Sequence, residues 1–282
     1  MILIIIGAPR SGTNMLRNVL TSFDGISTWP CDEINYIWRY GNASYPSDEL
    51  PISKVTPKIK DYIRKKFSNI FKQYDAKVIV EKTCANSLRI GFVNKIFPEA
   101  KYIYIYRDGI DVVGSAKKRW TADIDFSYLF QKVKYVPKTE LPYYALVYFF
   151  SRVSRFFSNE NRLSFWGPKL KNMDKFLNKY TLPEVCALQW KACVEKAEKS
   201  FNKMPKDKVM RIRYEDFVSS PFKEVSRILS FMGKSLDNQE INSAIEDVSK
   251  SNIGKGRKVL SEGQIKKIQL LIGKELKYYG YQ

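Results

Sequence analysis

Four short apolar runs divide the chain, and each ends in polar residues before a helical pattern begins. They cover residues 2–6, 77–80, 102–106 and 209–214. Runs of this length without strict polar alternation are typical of buried parallel strands. The strand–helix rhythm therefore predicts an α/β fold with a central parallel sheet flanked by helices. Because ligands of such folds bind beyond the carboxyl ends of the strands, the polar residues that follow each run are the first candidates for a site.

Helical periodicity is clearest over residues 14–22, 182–201 and 264–278. Residues 119–180 break the strand–helix rhythm and are rich in Phe, Tyr, Trp, Lys and Arg. We predict a single domain over residues 1–282, with residues 119–180 forming a mostly helical insertion. That insertion is either a subdomain on the side of a substrate or a helical unit without a ligand role.

Charge and residue usage narrow the chemistry. Lys and Arg number 48 against 29 Asp and Glu, which gives a net charge of +19 and predicts an anionic partner. The chain contains no His, so Ser-His-Asp, Cys-His and His-ligated zinc mechanisms are excluded. The four cysteines form no CxxC pair and are predicted to be reduced and structural, which favours a reducing compartment. They are Cys31, Cys84, Cys186 and Cys193.

No membrane span is predicted. The apolar start over residues 1–6 is too short for a signal peptide and lacks a basic region before it. The apolar stretch over residues 141–157 is interrupted by Ser151, Arg152 and Arg155.

The first candidate site follows the first strand. Residues 7–13, with the sequence Gly-Ala-Pro-Arg-Ser-Gly-Thr, have the two-glycine spacing of a P-loop and open a helix, so backbone N–H groups there can cradle an anion. The Lys and Ser/Thr that normally follow the second glycine are replaced by Thr13 and Asn14. No hydroxyl is placed for Mg²⁺, which disfavours hydrolysis of a nucleoside triphosphate. A glycine-rich corner without a ligand is the alternative interpretation.

This loop resembles that of the sulfotransferases that use 3′-phosphoadenosine 5′-phosphosulfate (PAPS), whose loop reads Pro-Lys/Arg-Ser-Gly-Thr-Thr and holds the 5′-phosphosulfate without a metal. The resemblance implies a three-layer P-loop-like fold, PAPS as donor, 3′-phosphoadenosine 5′-phosphate (PAP) as product and no required metal. It implies that Arg10 stabilises the sulfuryl group in place of the family's Lys. The donor-binding residues implied here are Pro9, Arg10, Ser11, Gly12, Thr13 and Asn14.

Two later segments resemble the family's remaining nucleotide contacts. Arg107 ends the third apolar run and Ser115 lies eight residues later, which matches the pair that holds the 3′-phosphate. An ordinary surface ion pair of Arg107 with Asp108 is the alternative. In the basic loop after residue 252, the resemblance implies binding by Lys255, Gly256 and Arg257, with Lys258 as a further candidate.

Residues 211–217 resemble a family segment in which Tyr214 lines the adenine pocket. Glu215 and Asp216 are interpreted as structural, because carboxylates at that point suit a helix N-terminus. The general base is the least direct inference. In the heparan-type branch a Glu-Lys-Ser/Thr motif follows a strand, and the resemblance assigns Glu81 as base and Lys82 as its catalytic neighbour. A surface ion pair of Glu81 with Lys82 is the alternative.

The segments at residues 166–169 and 182–190 resemble bacterial carbohydrate sulfotransferases. The implied function is transfer of the sulfuryl group from PAPS to a hydroxyl of a carbohydrate or related acceptor, which can itself be anionic. A P-loop kinase of small molecules and a non-catalytic binder of polyanions or nucleic acid are the alternatives, and we expect no nucleic-acid partner. A cytoplasmic bacterial location is predicted, with a Golgi lumenal domain as the alternative.

Overall fold

A five-stranded parallel sheet organises the protein in the computed structural model, which describes residues 1–121, 134–146 and 166–281. The strand order is β2-β3-β1-β4-β5. The strands are β1 (Ile2–Ile6), β2 (Ile26–Thr28), β3 (Val78–Lys82), β4 (Lys101–Tyr106) and β5 (Val209–Arg213). The predicted α/β class with a central parallel sheet is confirmed.

Helices cover both faces of the sheet. They are α1 (Thr13–Thr21), α2 (Asn35–Trp38), α3 (Pro57–Gln73), α4 (Ile90–Ile96), α5 (Gly109–Trp120), α6 (Met173–Lys179), α7 (Leu182–Phe201), α8 (Tyr214–Ser219), α9 (Pro221–Phe231), α10 (Asn238–Ala244) and α11 (Glu262–Tyr278). A capping box of Thr181 and Glu184 starts α7, and one of Ser261 and Gln264 starts α11. These caps fix the residues at which the two helices begin, whereas apolar periodicity alone locates helix ends only approximately.

The core has two faces because successive strand residues point to opposite sides of the sheet. Ile4 and Ile79 pack with α2, α3 and α4, whereas Leu3 and Val80 pack with α1, α8 and α9. A third cluster joins α5, α7 and α11. All five residues of β1 are buried, which explains why that run shows no polar alternation.

The strand ends differ from the sequence prediction at two points. β3 continues through Glu81 and Lys82, because these residues pair with Ile4 and Ile5 of β1. Tyr214 starts α8 rather than ending β5. The short strand β2 was not predicted, since its three residues Ile-Ser-Thr carry little apolar signal.

Much of the predicted insertion over residues 119–180 lies outside the described residues. Its described parts include a 3₁₀ turn at Lys138–Glu140, helical residues 141–146 and α6. Within the described residues, no helix is long and apolar enough to cross a membrane.

Order in the sheet decides where the site lies. From β1 the chain runs to β2 at one edge, returns to β3 beside β1, and then passes to β4 on the other side of β1. Such a reversal opens a crevice at the carboxyl ends of the central strands. The turn after β1 and the residues that follow β3 and β4 meet there.

Candidate active site

The turn after β1 is built to receive an anion. Gly12 has φ 87° and Arg10 has φ 71°, so two residues adopt the left-handed conformation within three positions. A Cβ on Gly12 would lie 2.4 Å from the Tyr214 ring, which restricts this position to glycine. The turn leads into the N-terminus of α1, where N–H groups without helical partners favour negative charge.

A cavity of about 420 Å³, the donor cavity, opens beside this turn. It brings together most of the predicted site residues. Those that line it are Pro9, Arg10, Gly12, Thr13, Asn14, Lys82, Arg107, Ser115, Tyr214, Lys255 and Gly256. Ser11 lies beneath the lining, fully buried, and its Oγ has no hydrogen-bond partner among the residues that the structure describes. A buried hydroxyl without a partner fits a turn whose polar groups serve a ligand.

Arg107 is fixed at the far side of the donor cavity. Its Nη1 donates to the Arg10 carbonyl at 3.1 Å, and its Nη2 donates to Asp111 Oδ2 at 3.2 Å and to the Asn252 carbonyl. The guanidinium carbon lies 4.3 Å from the centroid of the Tyr214 ring. The Arg107 Nε is buried and has no hydrogen-bond partner in the described part of the chain. The side chain is thus held in one place, with donor capacity left in a basic cavity.

Asp111 joins this arginine to the basic loop. Its carboxylate accepts hydrogen bonds from Gly254 N at 2.6 Å and Arg257 N at 3.1 Å. A Cβ on Gly256 would lie 2.0 Å from the Asp111 carbonyl oxygen, so only glycine allows the loop to sit on α5 so closely. The loop is therefore anchored by its backbone, which leaves Lys255 to line the cavity.

The Arg257 side chain approaches Asp108 at the edge of the basic loop. Its Nη2 lies 3.5 Å from Asp108 Oδ2, and neither Arg257 nor Lys258 is among the residues that line the donor cavity. Glu215 accepts hydrogen bonds from Asp108 N at 3.2 Å and from the Tyr281 hydroxyl at 2.6 Å, which are contacts other than the helix cap that the sequence suggested.

Arg10 lies at the centre of a group of cations. Its Nε donates to Ser115 Oγ at 2.9 Å. Burial lowers the pKa of the Arg10 guanidinium first, and the charges of Arg119 and Arg107 lower it further. Arginine remains protonated despite such a shift, so the three guanidinium groups repel one another. An anionic ligand bound among them would reduce this repulsion.

Lys82 faces the donor cavity and is held by two acids that the sequence analysis missed. Its Nζ lies 3.2 Å from both Asp32 Oδ1 and Glu33 Oε1, and only 1 % of its side chain is exposed. Burial lowers the pKa of Lys82, but the negative charges around it, chiefly Glu33, outweigh burial and raise it. Asp32 and Glu33 follow β2, whose weak apolar signal left this fifth strand end unpredicted.

Glu81 is placed on the opposite side of β3 from Lys82. It is fully buried and lies outside the linings of both cavities described here. Thr83 Oγ1 donates to its Oε1 at 2.5 Å and Asn86 Nδ2 to its Oε2 at 3.0 Å. Burial raises the pKa of Glu81 to about 7. Strand alternation explains this placement: Glu81 shares the face of Ile79, whereas Lys82 shares that of Val80.

A second cavity of about 540 Å³ adjoins the first, and we call it the acceptor cavity after the acceptor that the sequence predicts. The two share Arg10, Asp32, Glu33, Cys84 and Trp166 among their lining residues. The acceptor cavity alone is lined by Asn35, Tyr36, Ala85, Arg119, Gly167 and Pro168. A cavity of this size with aromatic walls and a few charged groups is typical of a small-ligand site.

Buried polar residues hold the wall formed by Trp166. Gln189 Nε2 donates to the Trp166 carbonyl at 3.0 Å and the Pro168 carbonyl at 3.1 Å. Asp48 Oδ2 accepts from Lys169 N at 2.8 Å, and Asp48 N donates back to the Lys169 carbonyl at 2.7 Å. The resemblance at residues 166–169 and 182–190 therefore corresponds to one packed unit beside the acceptor cavity.

The donor cavity suits a molecule with two separate anionic groups. Its lining includes the cations Arg10, Lys82, Arg107 and Lys255, which come from the turn after β1, from β3, from the end of β4 and from the basic loop. These side chains are the ones that would hold the phosphosulfate and the 3′-phosphate of PAPS. Among the residues that the structure describes, no group of three Cys, Asp or Glu side chains is placed to hold a metal ion.

Comparison with known proteins agrees with this geometry. The family model described as "Sulfotransferase domain" matches residues 2–276. No curated protein sequence matches the chain. Among solved structures, the sulfotransferase domain from the curacin biosynthetic pathway has a TM-score of 0.57 at 12% identity, with 99% of this chain and 97% of that chain covered.

Two further structures are similar in fold. The sulfotransferase domain of the Synechococcus PCC 7002 olefin synthase has a TM-score of 0.55 at 15% identity, with coverage of 100% of this chain and 94% of that one. A mouse sulfotransferase complexed with PAP has a TM-score of 0.52 at 14% identity, with coverage of 98% and 84%. The chain therefore belongs to the sulfotransferase family and is a PAPS-dependent sulfotransferase.

Proposed function

We propose that this enzyme transfers the sulfuryl group of PAPS to a hydroxyl of a carbohydrate acceptor. The observation that carries the proposal is the meeting of two cavities at Arg10 and Glu33. The donor side is basic, as a bisphosphorylated nucleotide requires. The acceptor side has the aromatic walls Tyr36 and Trp166, which suit the apolar face of a sugar ring.

The general base in this proposal is Glu33 rather than Glu81. Glu33 lines both cavities and has a carboxylate oxygen 3.2 Å from Lys82 Nζ. Asp32 has the same access, but it is also held by Arg17 at 2.7 Å, a second cation that stabilises its charged form. Burial raises the pKa of Asp32, and Lys82 and Arg17 more than offset this, so the pKa is lowered. A carboxylate with a lower pKa holds a proton less well.

Atoms and charge balance in one displacement. The acceptor oxygen forms a bond to sulfur, the bond between sulfur and the phosphate oxygen breaks, and its electron pair leaves with PAP. The hydroxyl proton passes to Glu33. Arg10 and Lys82 supply fixed positive charge where the sulfuryl oxygens and the leaving oxygen gain negative charge, and such preplaced charge is often the largest part of catalysis.

Three supporting roles belong to the same proposal. Arg107, Ser115 and Lys255 bind the 3′-phosphate, and Tyr214 lines the nucleotide pocket. Glu81 supports the segment that carries Lys82, because its carboxylate is bonded to Thr83 and Asn86. A cytoplasmic location remains a prediction of the sequence.

A thermal-shift series tests the nucleotide site. PAP at 100 times its dissociation constant should stabilise the protein by about 2.7 kcal/mol without Mg²⁺, and ATP with Mg²⁺ or a short DNA duplex should stabilise it much less. A matched series on Arg107→Gln should show a smaller shift with PAP. A shift with Mg·ATP or DNA but none with PAP would contradict the proposal and support a kinase or a polyanion binder.

An assay of sulfuryl transfer tests which class of acceptor the enzyme uses. Radiolabelled PAPS is incubated with a panel of mono- and oligosaccharides, a phenol and a primary alcohol. Labelled saccharide as the main product supports the proposal. Labelled phenol or alcohol with no labelled saccharide would retain sulfuryl transfer and reject the carbohydrate.

A further inference from the structure

Arg119 is a cation of the acceptor cavity that sulfuryl transfer itself does not employ. It lies in the last turn of α5 and lines the acceptor cavity but not the donor cavity. Its side chain is exposed, and within the described ranges it has no ion-pair partner. A position at a helix C-terminus accounts for a basic residue there, but not for its facing this cavity.

The acids of the cavity are already neutralised by other cations. Asp32 Oδ1 lies 2.7 Å from Arg17 Nη1 and 3.2 Å from Lys82 Nζ, and Glu33 shares Lys82 at 3.2 Å. Two carboxylates are therefore balanced by Arg17 and Lys82. Among the described residues that line the acceptor cavity, the remaining cations are Arg10 and Arg119.

These two arginines have different roles in the proposal. Arg10 lines both cavities and carries the charge expected to face the sulfuryl group. Arg119 lies near enough to oppose it, because its charge lowers the pKa of Arg10. A donor in the first cavity satisfies Arg10 and leaves Arg119 directed at whatever the acceptor cavity holds.

We propose that the acceptor is an anionic saccharide and that Arg119 binds its carboxylate or sulfate group. This inference rests on the proposed function and names the substrate class of the same site. A guanidinium presents a planar fork of donors that matches either anion in a bidentate manner. The aromatic walls Tyr36 and Trp166 take the sugar ring, and Arg119 adds the discrimination between charged and neutral sugars.

Two lysines follow the wall formed by Trp166 along the chain. Lys169 and Lys171 follow the Trp166-Gly167-Pro168 turn, and their backbone N–H groups are held by Asp48 and Glu49 at 2.8 and 2.9 Å. Within the described part of the chain, neither lysine side chain forms an ion pair. Both lysines are thus fixed at the backbone and stand close in sequence to the aromatic wall, although neither lines the two cavities.

The test measures binding of three fluorescent hexasaccharides to the PAP-loaded protein. The first is unsulfated chondroitin, the second is the same chain with its carboxylates reduced to alcohols, and the third is the reduced chain bearing O-sulfates. The wild type should bind at least one of the two anionic chains about tenfold more tightly than the neutral chain. Which anionic chain gains identifies carboxylate or sulfate as the group bound.

Two variants separate Arg119 from general charge. Arg119→Gln should lose the preference for the anionic chain. Lys72→Gln is the matched control, since Lys72 is an exposed cation in the last turn of α3 and lines neither cavity, and it should keep the preference. PAP affinity, measured on all three proteins, reports that they are folded.

Three outcomes overturn the inference. They are equal affinity of the wild type for all three chains, an equal effect of both variants, and binding of PAP with none of the three saccharides bound. Failure of the wild type to bind PAP would instead overturn the proposed function beneath it.

Discussion

Lys82 and Glu81 are neighbours in the chain that the fold places in different surroundings. The side chain of Lys82 reaches the donor cavity, whereas that of Glu81 lies buried beside Thr83 and Asn86. A motif match assigns both residues to the site, because it compares residue types and does not record which face of the strand each side chain lies on. Asp32 and Glu33, which follow β2, are therefore alternatives to Glu81 as the general base. Substitution of one carboxylate at a time distinguishes between them.

Glu33→Gln should lower kcat at least about a hundredfold, since general base catalysis contributes factors of that order or more. PAP affinity should stay within about threefold, because the cations of the donor cavity remain. Glu81→Gln is the comparison and should reduce kcat far less. Steady-state kinetics with calorimetric titration of PAP measures both. Loss of turnover in Glu81→Gln with normal turnover in Glu33→Gln would restore Glu81 as the base.

Glu81 should make the free energy of unfolding depend on pH. Its pKa is raised from 4.5 to about 7 by burial, so the folded state holds a proton that the unfolded state releases at lower pH. The contribution is therefore fully present below pH 4.5 and is lost as the pH rises to about 7. The loss approaches about 3 kcal/mol for a shift of this size.

Urea unfolding of the wild type and Glu81→Gln across this pH range measures the loss. The difference in free energy of unfolding between the two proteins should change with pH in the stated direction, because Gln does not titrate. A difference that stays constant from pH 4.5 to pH 8 would show that Glu81 keeps an ordinary pKa.

At the scale of elements, the loop after residue 252 and helix α5 pack together as one unit. Asp111 accepts hydrogen bonds from Arg107 and from two backbone N–H groups of the loop. Gly114 and Gly256 let the two backbones touch: a Cβ on Gly114 would lie 1.9 Å from the Gly256 carbonyl oxygen. Movement of the loop is thereby tied to the arginine expected to bind the 3′-phosphate.

Gly256→Ala should weaken PAP binding by at least about tenfold, because its Cβ would collide with backbone atoms that cannot move aside as a flexible side chain would. Gly263→Ala is the matched control. A Cβ there meets nothing within 4 Å, and the position lies in α11, so this exchange should leave PAP affinity unchanged and stability equal or slightly higher. Calorimetric titration with PAP compares the two variants, and equal affinities would contradict the anchoring role of the loop.

At the scale of the whole molecule, a net charge of +19 makes self-repulsion part of the energetics. The melting temperature should therefore rise as NaCl increases from 10 to 150 mM, since the Debye length shortens to about 8 Å. At equal ionic strength, sodium sulfate should raise it further, because the basic donor cavity binds a tetrahedral anion. Equal melting temperatures in the two salts would argue against a preformed anion site. The variant Arg107→Gln should narrow the gap between them.

The sequence predicted the framework with few errors, and the reasons are local. Strand β1 and helix α7 have their predicted bounds, because apolar periodicity and a capping box are written into neighbouring residues. Strand β2 escaped prediction because three residues with two hydroxyl side chains carry no such pattern. Asp32 and Glu33 were missed along with it, although they stand at the end of a strand like the residues that were found.

Local sequence determined the parallel α/β class, the anion-binding turn at Gly12 and the residue types that can supply charge, because each depends on short-range sterics or on composition. Tertiary structure alone decided which charges meet. The order of the strands brings Asp32 and Glu33 beside Lys82, and strand alternation turns Glu81 away. The basic-loop partners of Asp111 lie more than a hundred positions away in the sequence, as Asp48 does from the turn at Trp166, and Gln189 lies about twenty positions from that turn. Contacts across such distances depend on how the elements pack, and no local pattern records them.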